Sequence, residues 1–249
     1  MVEGPTTIAA IILEPVVGTN GILVPPPGYL EGVREICDEF GIMFIADEVM
    51  AGFGRCGEWF AVDHWGVVPD LITFAKGVNS GYLPIGGVLI SDAIAASFDD
   101  RAYPGGLTYS GHPLACASAV ASMTIMREEG IIDHARDLGA KAIEPALTKL
   151  AENHPSIGEV RGVGAFWAIE LVRDRGTRQP LVPYNAAGAD ASPMNEVAAG
   201  CRRRGLWPFV HFNRIHVVPP CTTTAEEIAE GIEILDDALV VADQYYTGS

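Results

Sequence analysis

Two short apolar runs, each ending abruptly in a charged side chain, constrain this chain more than anything else in it. The first is Gly41-Ile42-Met43-Phe44-Ile45-Ala46, which runs into Asp47-Glu48-Val49. The second is Leu71-Ile72-Thr73-Phe74-Ala75, introduced by Pro69-Asp70 and closed by Lys76-Gly77. Runs of this length and apolarity read as strands buried on both faces, the kind found in parallel sheets. A lysine or an aspartate at the end of such a strand is costly to desolvate unless it is paired, neutral or used covalently. In open α/β sheets the carboxyl ends of the strands line the crevice where ligands bind. An amine and a carboxylate on that rim match what pyridoxal phosphate requires. The lysine forms a Schiff base, and the acid keeps the pyridinium nitrogen protonated so that the ring acts as an electron sink.

The rest of the chain extends this pattern. Thr7 to Leu13 reads as a fully buried strand closed by Glu14-Pro15, and Val16 to Pro27 as a loop. A helix is expected over Gly28 to Phe40, with Leu30, Val33, Cys37 and Phe40 as its apolar stripe and Gly41 as its stop. With strand Ile42 to Ala46 this forms a βαβ unit and implies a parallel sheet. Further strands are expected at Leu71 to Ala75 and Ile85 to Ile90, then a short helix from Asp92 and a long one from Pro113 to Arg127. Past Gly130 the character changes. An amphipathic helical stretch, Ile131 to Asn153, precedes alternating segments Ile157 to Val163 and Phe166 to Val172. Asp174 to Ser192 reads as loop, and Pro193 to Arg204, Ile215 to Val218 and Thr224 to Tyr246 as helix, strand and helix. The expected division is therefore residues 1–130 and a smaller α+β domain over residues 131–249.

Taken together, Ile45-Ala46-Asp47-Glu48-Val49, Gly52-Phe53-Gly54-Arg55, Pro69 through Gly77, Gly81-Tyr82-Leu83-Pro84-Ile85-Gly86 and Thr108-Tyr109-Ser110-Gly111-His112-Pro113-Leu114-Ala115 resemble, in order, the class III (fold-type I) pyridoxal phosphate-dependent aminotransferases. The resemblance covers essentially the whole chain. It implies an α/β fold, a mostly parallel sheet flanked by helices with a small α+β domain after it. It also implies that Lys76 carries the cofactor, Asp47 partners the pyridine nitrogen and Val49 packs on one face of the ring. Thr108 would bind the cofactor phosphate across a homodimer interface, its hydroxyl and neighbouring N–H groups standing at a helix N-terminus. Family members carry an N-terminal stretch nearly as long as this chain before the residues that match Glu14. The chain thus reads as the C-terminal part of such an enzyme, residues 1–130 being half of the large cofactor-binding domain.

Glu14 resembles the family's substrate-side glutamate, whose partner is an arginine in an Arg-x-x-Pro-Pro pattern. Here the segment is Asn213-Arg214-Ile215-His216-Val217-Val218-Pro219-Pro220, which puts His216 at that place and Arg214 two residues earlier on the same strand face. A histidine holds a distal carboxylate less firmly than a guanidinium. The expected reaction is therefore transfer from an amine or omega-amino acid to a keto acid, with pyruvate favoured over 2-oxoglutarate. A sister aminomutase or decarboxylase would keep Asp47 and Lys76 as well, and an inactive fragment lacking the rest of the site is the third reading.

Composition narrows the partners. A net charge of −16, with 16 basic against 32 acidic residues, argues against nucleic acid and anionic membranes. The one dense basic run, Arg202-Arg203-Arg204, fits the solvated end of a helix. Five scattered cysteines and no C-x-x-C pair indicate neither a disulfide framework nor a zinc site, so a reducing cytoplasm is expected. His64, His112, His134, His154 and His211 show no metal-ligand spacing. Gly162 and Gly164 form a turn rather than a phosphate loop.

Overall fold

A computed structural model describes residues 4–248. The chain forms two compact units, Met1–Val16 with Pro25–Ile132, and Val17–Val24 with Asp133–Ser249.

The first unit is built on a four-stranded sheet. Strands β1 (Ala10–Leu13), β2 (Met43–Asp47) and β3 (Leu71–Phe74) run parallel, and β4 (Gly87–Ile90) closes the order β1-β2-β3-β4 antiparallel to β3. Helix α1 (Tyr29–Phe40) makes the crossover between β1 and β2 and ends where Gly41 turns left-handed at φ 64°. Its stripe packs as the spacing requires: Leu30 and Cys37 are buried with Ile42, Phe44 and Val67, and Val33 and Phe40 flank them. Asp70 locks β3 to this layer. Its Oδ2 accepts from the Phe44 N–H at 2.7 Å and from Arg34 Nη1 at 2.8 Å. Helices α2 (Asp92–Ala96) and α3 (Pro113–Glu128) complete the unit. Residues of α3, Ala119 and Met126, bury against Phe53 and Val78.

Three expectations change here. The first strand begins at Ala10 because Pro5–Thr7 forms a single 3-10 turn. It is not buried on both faces: Ile12 remains 60 % exposed. The strand expected from Ile85 starts at Gly87 and reverses direction, and Val88, Leu89 and Ile90 stay exposed.

Helix α4 (Ile131–Leu138) starts in the last two residues of the first unit and runs into the second, where a wide π turn at Gly139–Ile143 and α5 (Glu144–Asn153) follow. Its sheet has the order β5-β6-β9-β8, all antiparallel: β5 (Ile157–Val163), β6 (Phe166–Asp174), β8 (Phe209–His211) and β9 (Arg214–Val217). A two-residue β7 (Gln179–Pro180) pairs with β6 inside the segment expected to be loop. Strand β8 has only three residues, too short to show a period. Helices α6 (Ser192–Arg203) and α7 (Ala225–Asp243) cover the sheet, sharing a core with Ile169, Leu171, Leu181 and Ile215. Thr224 caps α7 reciprocally with Glu227, and the capping box satisfies two N–H groups of its first turn. Buried His154 holds the far end of α7, bonding Asp243 through Nδ1 at 2.7 Å and Asp236 through Nε2 at 3.0 Å. No helix among the described residues is long and apolar enough to cross a membrane.

Candidate active site

The carboxyl ends of three parallel strands set out a row of functional groups. In the register, Leu13 stands opposite Ala46 and Asp47 opposite Thr73. Glu14, Asp47 and Lys76 therefore all leave the same edge of the sheet, the edge at which open α/β folds bind ligands. Asp47 is half-buried. Its Oδ1 accepts from the Val49 N–H at 3.0 Å, which fixes the carboxylate and places Val49 directly beside it. Across from Asp47, the Thr73 hydroxyl oxygen is buried without a hydrogen-bond partner.

Lys76 begins the 3-10 turn Lys76–Asn79 with φ 37°, a left-handed backbone unusual for a residue with a side chain. Holding it there costs on the order of 1–3 kcal/mol, so the surroundings must over-determine it. They do so from below. Val78 and Asn79 are buried, and the Asn79 amide donates to Leu83 O at 2.7 Å while its Oδ1 accepts from the Gly81 N–H at 3.2 Å. The Lys76 side chain itself is exposed. An exposed amine on a strained turn, at the same sheet edge as the hydrogen-bonded carboxylate of Asp47, fits the donor set that pyridoxal phosphate requires.

Thr108 precedes the Gly111-His112-Pro113-Leu114 start of α3, as the sequence order places it. It lies exposed in a turn of its own, where the Ser110 N–H donates to Leu107 O at 3.0 Å. The N-cap of α3 is His112, four residues past the threonine.

Arg214 and His216 lie on β9 in the second unit, whereas Glu14 belongs to the first. Arg214 donates to the backbone and side-chain oxygens of Asn20 and lies 5.4 Å over the Phe212 ring. Arg161 beside it donates to Gly21 O at 2.7 Å and pairs with Glu170 at 2.7 Å. Gly21 takes φ 117°, a backbone that residues with a side chain rarely adopt, and a Cβ there would also crowd Arg214 Cδ at 2.7 Å. His216 is 5 % exposed and meets the Phe209 ring edge-on at 4.9 Å. Burial, reinforced by the positive charge of Arg214, pushes the imidazole down to about 4, so it is neutral at pH 7. Three nitrogens of this cluster, His216 Nε2, His211 Nδ1 and Arg214 Nε, are buried without hydrogen-bond partners.

One residue escaped the sequence reading. Glu48, next to Asp47, points to the opposite side of the strand and is completely buried. Its Oε1 accepts from the Val62 N–H at 2.9 Å, and its Oε2 has no partner. The signal available was its place in the alternation: if Asp47 faces the rim, Glu48 faces the interior.

The aminotransferase class-III family profile matches residues 2–239. The 4-aminobutyrate aminotransferase GabT of Escherichia coli is 39 % identical over 249 residues, a match covering 96 % of this chain and 54 % of that enzyme. The putrescine–pyruvate aminotransferase of Pseudomonas aeruginosa is 45 % identical over 177 residues, covering 71 % of this chain and 39 % of that enzyme. Among solved structures, the taurine:2-oxoglutarate aminotransferase of Bifidobacterium kashiwanohense, in complex with pyridoxal phosphate and glutamate, superposes with a TM-score of 0.92 at 41 % identity. It covers 98 % of this chain, which in turn spans 54 % of that one. The chain spans about half the length of the curated relatives it matches.

Proposed function

The chain belongs to the class-III aminotransferases, and from that premise we propose that it moves an amino group from an amine or omega-amino acid to a keto acid, with pyruvate as the favoured acceptor. The observation that carries this reading is the placement of Asp47 and Lys76 at the carboxyl ends of adjacent parallel strands, the lysine held in a left-handed turn. Residues 1–130 would form the C-terminal half of the large cofactor domain and residues 131–249 the small one. The complete enzyme would be a cytoplasmic homodimer.

Bound pyridoxal phosphate supplies the electron sink that lets a proton leave the donor carbon. Asp47 would hold the pyridine nitrogen protonated, and Val49 would pack on one face of the ring. Lys76 would anchor the cofactor through Nζ and, once displaced by the donor, carry the proton away from the donor carbon and return it on the cofactor side. Its tether keeps the amine within reach, which converts proton transfer into an intramolecular step. Thr108 would donate to the cofactor phosphate of the partner subunit. Glu14, His216 and Arg214 would face the far end of the substrate.

The acceptor assignment rests on His216. A neutral imidazole offers a distal carboxylate one hydrogen bond and no charge, whereas pyruvate has no distal acid to satisfy.

The test is chemical. Borohydride reduction of the complete cofactor-loaded enzyme, followed by peptide mapping, should place the pyridoxyl group on Lys76. The chain has only two other lysines, Lys141 and Lys149. Modification at either would overturn the assignment.

A further inference from the structure

We propose that Glu48 is a positioning residue for Lys76: its buried carboxyl fixes the Val49–Phe53 turn, and that turn backs Gly77 and so sets the left-handed backbone of the lysine. The catalytic consequence rests on Lys76 being the reacting amine, but the bracing is a property of this chain alone.

The chain of contacts begins at Glu48 itself. Its N–H donates to Thr73 O at 2.9 Å, extending the β2–β3 ladder by one residue. Its carbonyl accepts from the Gly52 N–H at 3.0 Å and closes the turn. Its carboxyl reaches across to the Val62 N–H and ties that turn to the 3-10 segment Ala61–Trp65. No side chain fits at Gly52, where a Cβ would come within 2.9 Å of the Glu48 carbonyl oxygen. The turn then delivers Phe53 beneath the lysine loop. A Cβ at Gly77 would lie 3.0 Å from Phe53 Cβ and 3.4 Å from the Gly52 carbonyl. Phe53 also meets Phe74, the last residue of β3, at 5.6 Å between ring centroids. The residues on both sides of the Ala75–Lys76 step are thus packed against a turn that Glu48 closes.

This brace has a titratable pin. Burial pushes the Glu48 carboxyl up to about 7 against the lowering pull of hydrogen bonds from the Ala61 and Val62 backbone, and the negative charges of nearby Asp63 and Asp47 push it the same way as burial. The neutral form is the one the interior accepts. The stability it contributes is present in full below the ordinary value of 4.5 and is lost as pH rises to about 7.

Amide exchange on the complete enzyme, corrected for intrinsic rates, reads this directly. In the wild type, local opening at Gly52, Val62 and Val78 should rise together as pH climbs between those two values, by up to about tenfold per pH unit. Val78 is the reporter for the lysine turn, since its N–H bonds Ala75 O at 3.1 Å. Glu48→Gln keeps an acceptor for Val62 and cannot ionise, so its opening should stay flat across the same range. Glu48→Ala should open all three amides at every pH. If Val78 stays protected in Glu48→Ala while Gly52 and Val62 open, the carboxyl braces only its own turn and the proposal fails. It fails equally if Glu48→Gln and the wild type share one pH profile. Should Glu48→Ala not fold, the comparison of Gln with wild type decides alone. None of these readouts requires turnover, so they separate this inference from the identity of the reacting lysine.

Discussion

At the scale of single residues, the environment assigns opposite fates to two groups of the same chemical ambition. Asp47 accepts the Val49 N–H at the sheet edge, while Glu48, one residue on, is buried in the interior, where desolvation raises its carboxyl to about 7. His216 follows the second path. Burial holds it neutral well above its value of about 4, so changing the pH near neutrality does not turn it into a cation. His216→Arg in the complete enzyme would restore a permanent charge and a bidentate donor, worth about 1.5–3 kcal/mol for a hydrogen bond to a charged acid. We expect the substitution to raise the ratio of activity with 2-oxoglutarate to activity with pyruvate at least tenfold, since each 1.36 kcal/mol is a factor of ten. A wild type that already prefers 2-oxoglutarate, or loses that preference only in Arg214→Ala, would instead identify Arg214 as the group facing the distal acid.

Elements in this fold are shaped by close backbone approaches that side-chain patterning does not reveal. The run from Ile131 to Asn153 is amphipathic throughout, yet it is interrupted by the π turn at Gly139–Ile143. The reason is local: Gly139 lies against Gly164, and a Cβ there would collide with the Gly164 carbonyl oxygen. Gly139→Ala should therefore lower stability by about 1–3 kcal/mol through overpacking, read as a shift of the denaturant midpoint. Gly32 is the control. It lies within α1, and a Cβ there meets nothing within 4 Å. Gly32→Ala should raise stability by about 0.5–1 kcal/mol, because alanine is the better helix former. Equal effects of the two substitutions would dismiss the close approach as the cause of the π turn.

For the whole molecule, the distribution of apolar surface differs between the two units. The second has a large closed core around Ile169, Leu171, Leu181, Ile215 and Leu239. The first leaves Ile12, Val88, Leu89 and Ile90 exposed on its sheet, with β1 and β4 as the edges. Exposed strand edges with apolar side chains template association. The 249-residue chain expressed by itself should accordingly elute from a sizing column as associated species and give no visible cofactor band with pyridoxal phosphate. A soluble monomer that displays such a band would contradict this.

What the sequence determined by itself was local. Apolar runs bounded by charge located β2 and β3, the stripe of Leu30, Val33, Cys37 and Phe40 located α1, and the strand ends put Asp47 and Lys76 on one edge. These follow from period and spacing within about a dozen residues, the range over which backbone geometry repeats. What only the tertiary structure decided depends on partners far apart in the chain. Val17–Val24 joins the second unit because Arg161 and Arg214 bond Gly21 and Asn20, 140 and 194 positions away. The antiparallel turn of β4, the exposure of Ile12, the neutrality of His216 and the raised carboxyl of Glu48 arise in the same way. Burial and desolvation are properties of what surrounds a residue, and those surroundings exist only once remote segments have packed.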